Sequence, residues 1–577
     1  MYAVVLLIAV AVLISTLPAD AQPAAKGPLV VRPDGKPDLE VLFWLQSSLK
    51  RVYPKSEPGS AEPLSIIAPR NGRVSFQACL RNNRPWELRP TCAVTGADGL
   101  QVQVRRVGYA PLTHVTTDTD RSELEGGDLI PGFVPDPLFP ENSAVVAPYE
   151  NCAFWVTMKV PADAKPGPRK LNVHWSFHDG TQKADLTADL EVSEFQVKPR
   201  KDFPVIHWWR SECLWDWYKT GMYEDPKHWE ITRNYIRNMV EHGTNVIYVP
   251  MFFMRRETFK RPAQLLKVAE PEPGRYEFDF SDVSKFLAMA KECGAEYFEW
   301  PHFWIYWGAE NPIRVYKWVD GQAVMLWPPD LDGHGEVYHN FLRQFLPKFH
   351  DFLLEENVLD KSFFHISDEP GEGKHIENYR KGRKFLDENA PWIKGKVMDA
   401  LSSIEYGRQR LNDIPIPIVS AAQPYIDEKI PHWVYYCCGP RGPWLNRFYD
   451  TPLTKVRMSG FLFYRLGARG FLHWGYNYWH AMEQEVICDP FQDASNRSWP
   501  GIPYGDPMMV YPGADGKPID SIRWEVFAES LQDYAILQTA GIKPDDPMLK
   551  DIKSYAEFPR SEKWIDDVIR KALSASK

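Results

Sequence analysis

From Phe203 onward the chain repeats one pattern, a short apolar run followed by a stretch of helical periodicity. The apolar runs fall at 203–209, 245–251, 295–302, 362–367, 396–400, 416–421, 433–437 and 470–475. Helical patterns at 226–242, 280–293 and 336–356 lie between them. In the last of these Phe341, Phe345, Phe349 and Phe352 are spaced by four, four and three residues and share one face, and Pro347 predicts a kink. Eight such strands alternating with helices fit a parallel (β/α)8 barrel or a doubly wound open sheet. No Gly-rich phosphate loop follows the first strand, so the barrel is the expected architecture. The sixth strand is the weakest, because Pro417 removes a ladder donor.

The residues before this pattern obey a different rule. Runs at 73–80, 102–107, 152–160, 170–177 and 184–192 are short, alternating or β-branched, and separated by clusters such as Asn82-Asn83-Arg84-Pro85. They predict an antiparallel β-sandwich. The expected organisation is therefore multidomain: a signal peptide over 1–21, a β-sandwich over 22–201, and a (β/α)8 barrel with long βα loops and C-terminal helices over 202–577. A chain of 577 residues exceeds what one core normally serves. The signal rests on the apolar run 3–17, shorter than the ~20 residues of a spanning helix, followed by Pro18 and Ala19-Asp20-Ala21. It predicts a secreted or periplasmic protein with no membrane insertion after cleavage.

A net charge of -9 without a basic block argues against a nucleic-acid partner. None of the eight cysteines has zinc-ligand spacing, and Cys79 and Cys92 stand either as a pair or as buried free thiols. No cofactor motif and no metal constellation is read, since His302, His365 and His473 lack ligand spacing. The sequence leaves the oligomeric state open.

Where the 22 tryptophans fall is informative. Trp208, Trp209, Trp215, Trp217, Trp300, Trp304, Trp307, Trp318, Trp327, Trp444, Trp474, Trp479 and Trp499 end or follow predicted strands, which places 13 of 22 on the face where barrel enzymes carry their sites. Flat apolar rings suit the C–H faces of sugars; packing of long loops is the alternative. Two such loops, 303–335 and 481–521, far exceed an ordinary ~2 to 6 residue connection.

The segment Phe363-Phe364-His365-Ile366-Ser367-Asp368-Glu369-Pro370 delivers two carboxylates at the end of the fourth barrel strand. Of the other Asp-Glu pairs, Asp387-Glu388 lies near a helix end and Asp427-Glu428 in a loop. Ionising one of two neighbouring carboxyls raises the pKa of the other, which favours one acid beside one anion. Glycosidic cleavage needs such an acid and a stabiliser of positive charge. Neighbours cannot easily flank a bond as acid and opposite-face nucleophile, which calls for ~5 Å or more. They do suit a substrate whose own 2-acetamido oxygen attacks. Asp368 then orients the acetamido group and stabilises the intermediate, and Glu369 is general acid, then base. An Asp-Glu capping the following helix is the structural alternative.

The strand end HISDEP resembles glycoside hydrolase family 123. So do Gly470-Phe-Leu-His-Trp-Gly-Tyr-Asn-Tyr-Trp479, Tyr504-Gly-Asp506, Tyr511-Pro-Gly513, Ser521-Ile-Arg523-Trp-Glu525 and Asp533-Tyr534. The resemblance implies a sandwich joined to a (β/α)8 barrel and an exo-acting, retaining β-N-acetylgalactosaminidase with substrate assistance through Asp368 and Glu369. It marks a divergent member, because Ala528-Glu529-Ser530 stands where relatives often carry Arg-Asp-Gly or Arg-Glu-Gly.

Candidate substrate contacts are Trp209, Arg210, Trp300, His302, Tyr435, Trp474, Tyr476 and Trp479. Arg210 pairs either with sugar hydroxyls through its donor fork or with Glu212. His302 and His473 either touch the sugar or are satisfied core histidines. Tyr425, Tyr435 and Tyr436 compete for the acetamido carbonyl, and Glu299 is a reserve acid. The expected partner is a glycan with a 2-acetamido sugar. The alternatives are a glycosidase for a non-acetamido sugar, using Glu369 with a distant carboxylate such as Glu299, and a non-catalytic polysaccharide-binding protein.

Overall fold

The computed structural model describes residues 29–31, 37–59, 63–177, 183–256, 258–482, 484–495 and 502–575. The expected signal segment and Trp499 lie outside them. No helix among the described residues is long and apolar enough to cross a membrane.

The N-terminal region contains two sheets. Six strands run in the order Leu29–Val31, Pro37–Ser47, Gly72–Asn82, Asn151–Val160, Gln101–Leu112, Gly132–Phe139, and every pairing is antiparallel. Four more run Leu64–Arg70, Lys183–Gln196, Gly167–Phe177, Pro90–Thr95. Here Leu64–Arg70 departs from expectation by pairing parallel to Lys183–Gln196. Side chains alternate across a strand, and the central strands bury both faces. Phe43, Ala78 and Phe154 pack into the core between the sheets, whereas Trp44, Cys79 and Trp155 join the core shared with the C-terminal region. That double burial is why Asn151–Val160 is apolar almost throughout.

In the C-terminal region six parallel strands form one continuous ladder, in the order Ser362–His365, Tyr297–His302, Val246–Tyr248, Val205–His207, Phe471–His473, Val434–Tyr435. Met398–Ala400 and Ile414–Ile416 form a separate parallel pair. Single bridges, Phe364 to Val397 and Ile418 to Tyr435, link that pair to the two edges. The expected run of eight strands is therefore a six-stranded parallel half-barrel plus two. The sixth strand lies earlier than the sequence suggests, because Pro417 ends it and 419–421 is a 3-10 turn. Helices Pro226–Glu241, Ser281–Glu292 and Glu336–Glu355 follow the predicted ranges, and the four phenylalanines of the last are all buried.

Helix Ile522–Thr539 is buried on almost every side. Ser521 caps it through Trp524 N–H at 3.1 Å. Arg523 reaches Asp136 of the N-terminal region, at 2.9 Å from Nε and 3.0 Å from Nη2. Glu525 takes Arg105 at 2.7 Å. The Arg523-Trp-Glu525 motif thus joins the two regions.

Candidate active site

The C-terminal ends of the parallel strands open into a pocket of about 170 Å³. Its walls include Trp208, Arg210, Tyr306, Trp307, Asp368, Glu369, Tyr435, Cys437, Cys438, Trp474 and Tyr478. Among the described residues that line it, Asp368 and Glu369 are the only acids.

Local structure explains how the pair is presented. The strand ends at His365, but the long third loop continues the ladder beside it. Phe303 N–H donates to His365 O at 3.1 Å, Trp304 N–H to Ile366 O at 2.9 Å and Trp307 N–H to Asp368 O at 2.8 Å. Ser367 Oγ donates to Ile305 O at 2.9 Å. Glu369 then takes a left-handed backbone, φ 44°. A non-glycine residue pays roughly 1–3 kcal/mol for such a conformation unless its surroundings impose it. The turn directs Glu369 outward while Asp368 stays half-buried. Burial, and next the charge of Glu369, push the Asp368 carboxyl well above the usual range. Tyr435 donates to Glu369 Oε1 at 2.6 Å.

Beneath the pair lies a buried polar cluster. His365 bridges two carboxylates, with Nδ1 at 3.0 Å from Asp399 Oδ1 and Nε2 at 2.7 Å from Glu299 Oε1. Burial lowers its pKa, but the bonds to Asp399 and Glu299 outweigh that and push it up to about 10. An imidazolium therefore sits three residues below Asp368 and tempers the rise of its carboxyl. His302, His365 and Asp399 bring possible ligand atoms within 4.8 Å of one another, which their sequence spacing did not foretell. Both ring nitrogens of His365 are engaged, and Asp399 also accepts from Tyr379 at 2.6 Å and Asn412 at 3.2 Å. The set is a hydrogen-bonded floor.

The structure divides the candidate contacts. Arg210, Tyr435 and Trp474 line the pocket. Arg210 is clamped through its backbone by Asn477, 2.7 Å from N–H to Oδ1 and 3.0 Å from O to Nδ2, and its guanidinium lies over Trp208 and Tyr478. Trp474 donates from Nε1 to Asp506 at 3.0 Å. Trp209, Trp300, His302, Tyr476 and Trp479 do not line it, and each departure has a cause. Trp209 and Trp300 point outward by strand alternation, Trp209 stacking on Phe286 and Trp300 meeting Phe349 edge to face in the helix layer. A register shift between Glu299 and His302 turns both inward beneath the pocket, where His302 Nδ1 faces Met254 Sδ at 3.4 Å. Tyr476 donates to Asn238 at 2.8 Å and Trp479 to Val510 O at 3.2 Å.

Glu299 is not an available acid, since it is fully buried and its Oε1 accepts from Trp208 as well as His365. Tyr425 donates to Leu401 O and Ser403 O and Tyr436 is buried, so of the three tyrosines Tyr435 alone faces the pocket. His473 is buried, with Nδ1 accepting from Gly475 N–H at 3.0 Å. Of the twelve expected tryptophans that are described, Trp208, Trp307 and Trp474 line the pocket; most others pack loops and helices. Sequence reasoning missed Tyr478, Cys437 and Cys438 as wall residues. Position after a strand end was their only signal, and it does not tell wall from filler.

The model of the glycoside hydrolase 123 catalytic domain matches residues 208–540, more than half of the chain. The chain belongs to glycoside hydrolase family 123. It is a glycoside hydrolase of this family with its carboxylate pair inside the matched segment. No curated protein matches it. Among solved structures, a family 123 glycoside hydrolase from Clostridium perfringens, studied for glycolipid glycan hydrolysis, superposes with a TM-score of 0.71 at 13% identity, covering 93% of this chain and 96% of that one. The β-glucuronidases of Bacteroides uniformis and Parabacteroides merdae reach TM-scores of only 0.28 and 0.29 at 11% identity, covering 88% and 85% of this chain and 50% and 52% of theirs.

Proposed function

We propose that this family 123 enzyme is an exo-acting β-N-acetylhexosaminidase, a β-N-acetylgalactosaminidase, that works with retention through the 2-acetamido group of its substrate. The observation that carries this reading is the acid inventory of the pocket: two adjacent carboxyls and no third among the described lining residues. A pair of carboxylates flanking the bond would need an acid ~5 Å or more across from Glu369, and Glu299 is committed to the floor. The missing nucleophile is then supplied by the substrate.

Asp368 and Glu369 share one proton, because two adjacent anions in a half-buried site repel. Burial favours the proton on Asp368. An acetamido N–H donating to Asp368 stabilises its anion instead and leaves Glu369 as the acid. Glu369 protonates the leaving oxygen while the acetamido oxygen closes on the anomeric carbon. It then deprotonates the water that opens the oxazolinium intermediate. Trp208, Trp474 and Tyr478 supply ring faces for the sugar, and Arg210 supplies donors to its hydroxyls. The glycolipid glycan named for the Clostridium perfringens enzyme is consistent with a galactosamine-containing substrate class. We read the six-plus-two strands as a closed (β/α)8 barrel behind the sandwich, dividing near residue 201, and the N-terminal apolar run as a signal for export.

The test is release of p-nitrophenol from β-linked N-acetylgalactosamine, N-acetylglucosamine and galactose derivatives by wild type, Asp368→Asn and Glu369→Gln. Turnover is expected for acetamido sugars alone, with a loss on the order of 10²–10⁴-fold in each variant. Equal turnover of the galactoside, or activity that survives both substitutions, would overturn the reading.

A further inference from the structure

Two cysteines adjacent in sequence stand in the pocket wall. Cys437 and Cys438 follow the strand Val434–Tyr435, are half-buried, and line the same pocket as Asp368 and Glu369. Their Sγ atoms lie 3.7 Å apart. The other six cysteines are buried, so this pair alone offers two thiols at once to a reagent from solvent. The turn that carries them is held on every side. Cys437 N–H donates to Gly439 O at 2.8 Å, Asn446 Nδ2 to Cys437 O at 2.9 Å and to Pro440 O at 3.0 Å, and Arg441 Nε to Cys438 O at 3.1 Å.

We propose that Cys437 and Cys438 form a reversible modification site in the wall of the catalytic pocket, oxidised by a small-molecule disulfide to a vicinal disulfide that reshapes the wall and weakens substrate binding. The exchange balances without further reagents. One cysteine, as thiolate, attacks the small disulfide, forms a mixed disulfide and expels one small thiol. The second, on losing its proton, attacks the protein sulfur of that mixed disulfide and expels the second thiol. The protein gives up two electrons and two protons, and the reagent gains both. The hydrogen bond to Cys438, and next burial, push the Cys437 thiol well above its usual range.

Ring closure brings the sulfurs to about 2.0 Å, and adjacent Cα atoms, about 3.8 Å apart, lie inside the usual ~4.4 Å minimum for a disulfide. The ring is therefore strained and easily reduced, as a reversible site requires. Its formation shifts the wall two residues beyond Tyr435, whose hydroxyl holds Glu369.

The experiment treats the full-length protein with excess oxidised glutathione or with dithiothreitol. Intact mass, iodoacetamide labelling and p-nitrophenyl glycoside kinetics are then recorded. Expected are a mass lower by two hydrogens after oxidation, loss of labelling at 437 and 438 alone, and a several-fold rise in KM that dithiothreitol reverses. Cys437→Ser/Cys438→Ser, whatever its own rate, should respond identically to both treatments; single Cys438→Ser serves if the double variant fails to fold. A stable mixed disulfide with glutathione, continued labelling of both thiols, or an oxidised pair with unchanged KM would overturn the proposal. The kinetic arm rests on the glycosidase reading. Mass and labelling do not, so an enzyme silent on every glycoside still decides whether the disulfide forms.

Discussion

Glu369 is held by one hydrogen bond and one strained backbone angle, and these two constraints define what single substitutions should do. Its left-handed φ of 44° points the carboxyl at the pocket, and the Tyr435 hydroxyl at 2.6 Å fixes where it points. Tyr435→Phe removes the bond that positions the acid, worth about 0.5–1.5 kcal/mol, so kcat/KM should fall about 2- to 10-fold with the fold intact. Steady-state kinetics beside a circular dichroism spectrum would check it, and an unchanged kcat/KM would mean that Glu369 holds its position alone. A second residue acts one step away. Asp506 accepts from the wall residue Trp474, and burial pushes its pKa up to about 7 against that bond and the nearby Arg447 and Arg523. A carboxyl with a raised folded pKa binds a proton that the unfolded chain has already released. Its contribution to stability is whole below the ordinary aspartate pKa, near ~4, and is lost as pH rises through about 7. Asp506→Asn should remove that slope. The melting-temperature difference between variant and wild type would then change across pH 4 to 7 in the variant's favour, and a constant difference would count against it.

Secondary-structure elements explain which parts of the site were legible in the sequence. Eight short apolar runs with helices between them match seven strands in place, and the sixth only shifted, because the strand stops before Pro417, which has no N–H to give a ladder. The pair at 368–369 was legible for a chemical reason: two carboxyls after an apolar strand have no packing role to play. The aromatic residues were not, because alternation assigns them to wall or helix layer and a single register shift reverses the assignment. Trp208 and Trp209 are neighbours with opposite fates, and the shift between Glu299 and His302 buries both. The departure at Ala528-Glu529-Ser530 is also an element-scale feature. Glu529 and Asp533 both pair with Arg457, and a Cβ on Gly460 would lie 1.8 Å from Ser530 O. Helices Ser459–Arg465 and Ile522–Thr539 therefore touch backbone to side-chain-free backbone. Gly460→Ala should cost about 1–3 kcal/mol or more through overpacking. A denaturant midpoint equal to that of wild type would show that the two helices separate freely.

At the scale of the whole molecule, a sheet of the N-terminal region is built into the enzyme. Its central strands bury one face against their own partner sheet and the other against the C-terminal region, and charged groups join the two across that second face. Against burial, Arg105 and Arg73 hold the Glu525 carboxyl well below the usual range. The Asp136–Arg523 pair is fully buried, with Tyr511 donating to Asp136 at 2.7 Å. Replacing Asp136 by Asn leaves a guanidinium charge in the interior, and breaking a buried pair in this way typically costs about 3–5 kcal/mol. The consequence should reach the pocket. Arg523 Nη1 donates to Gly505 O at 2.8 Å, directly before Asp506, whose carboxyl holds Trp474 in the wall. Asp136→Asn should therefore lower the unfolding midpoint in one transition and raise KM more than it lowers kcat, because the wall residue Trp474 loses its anchor while Asp368 and Glu369 keep theirs. Two separated unfolding transitions in the wild type, or a variant that loses stability with KM unchanged, would show that the N-terminal sheet is only attached to the catalytic region and does not help to shape its pocket.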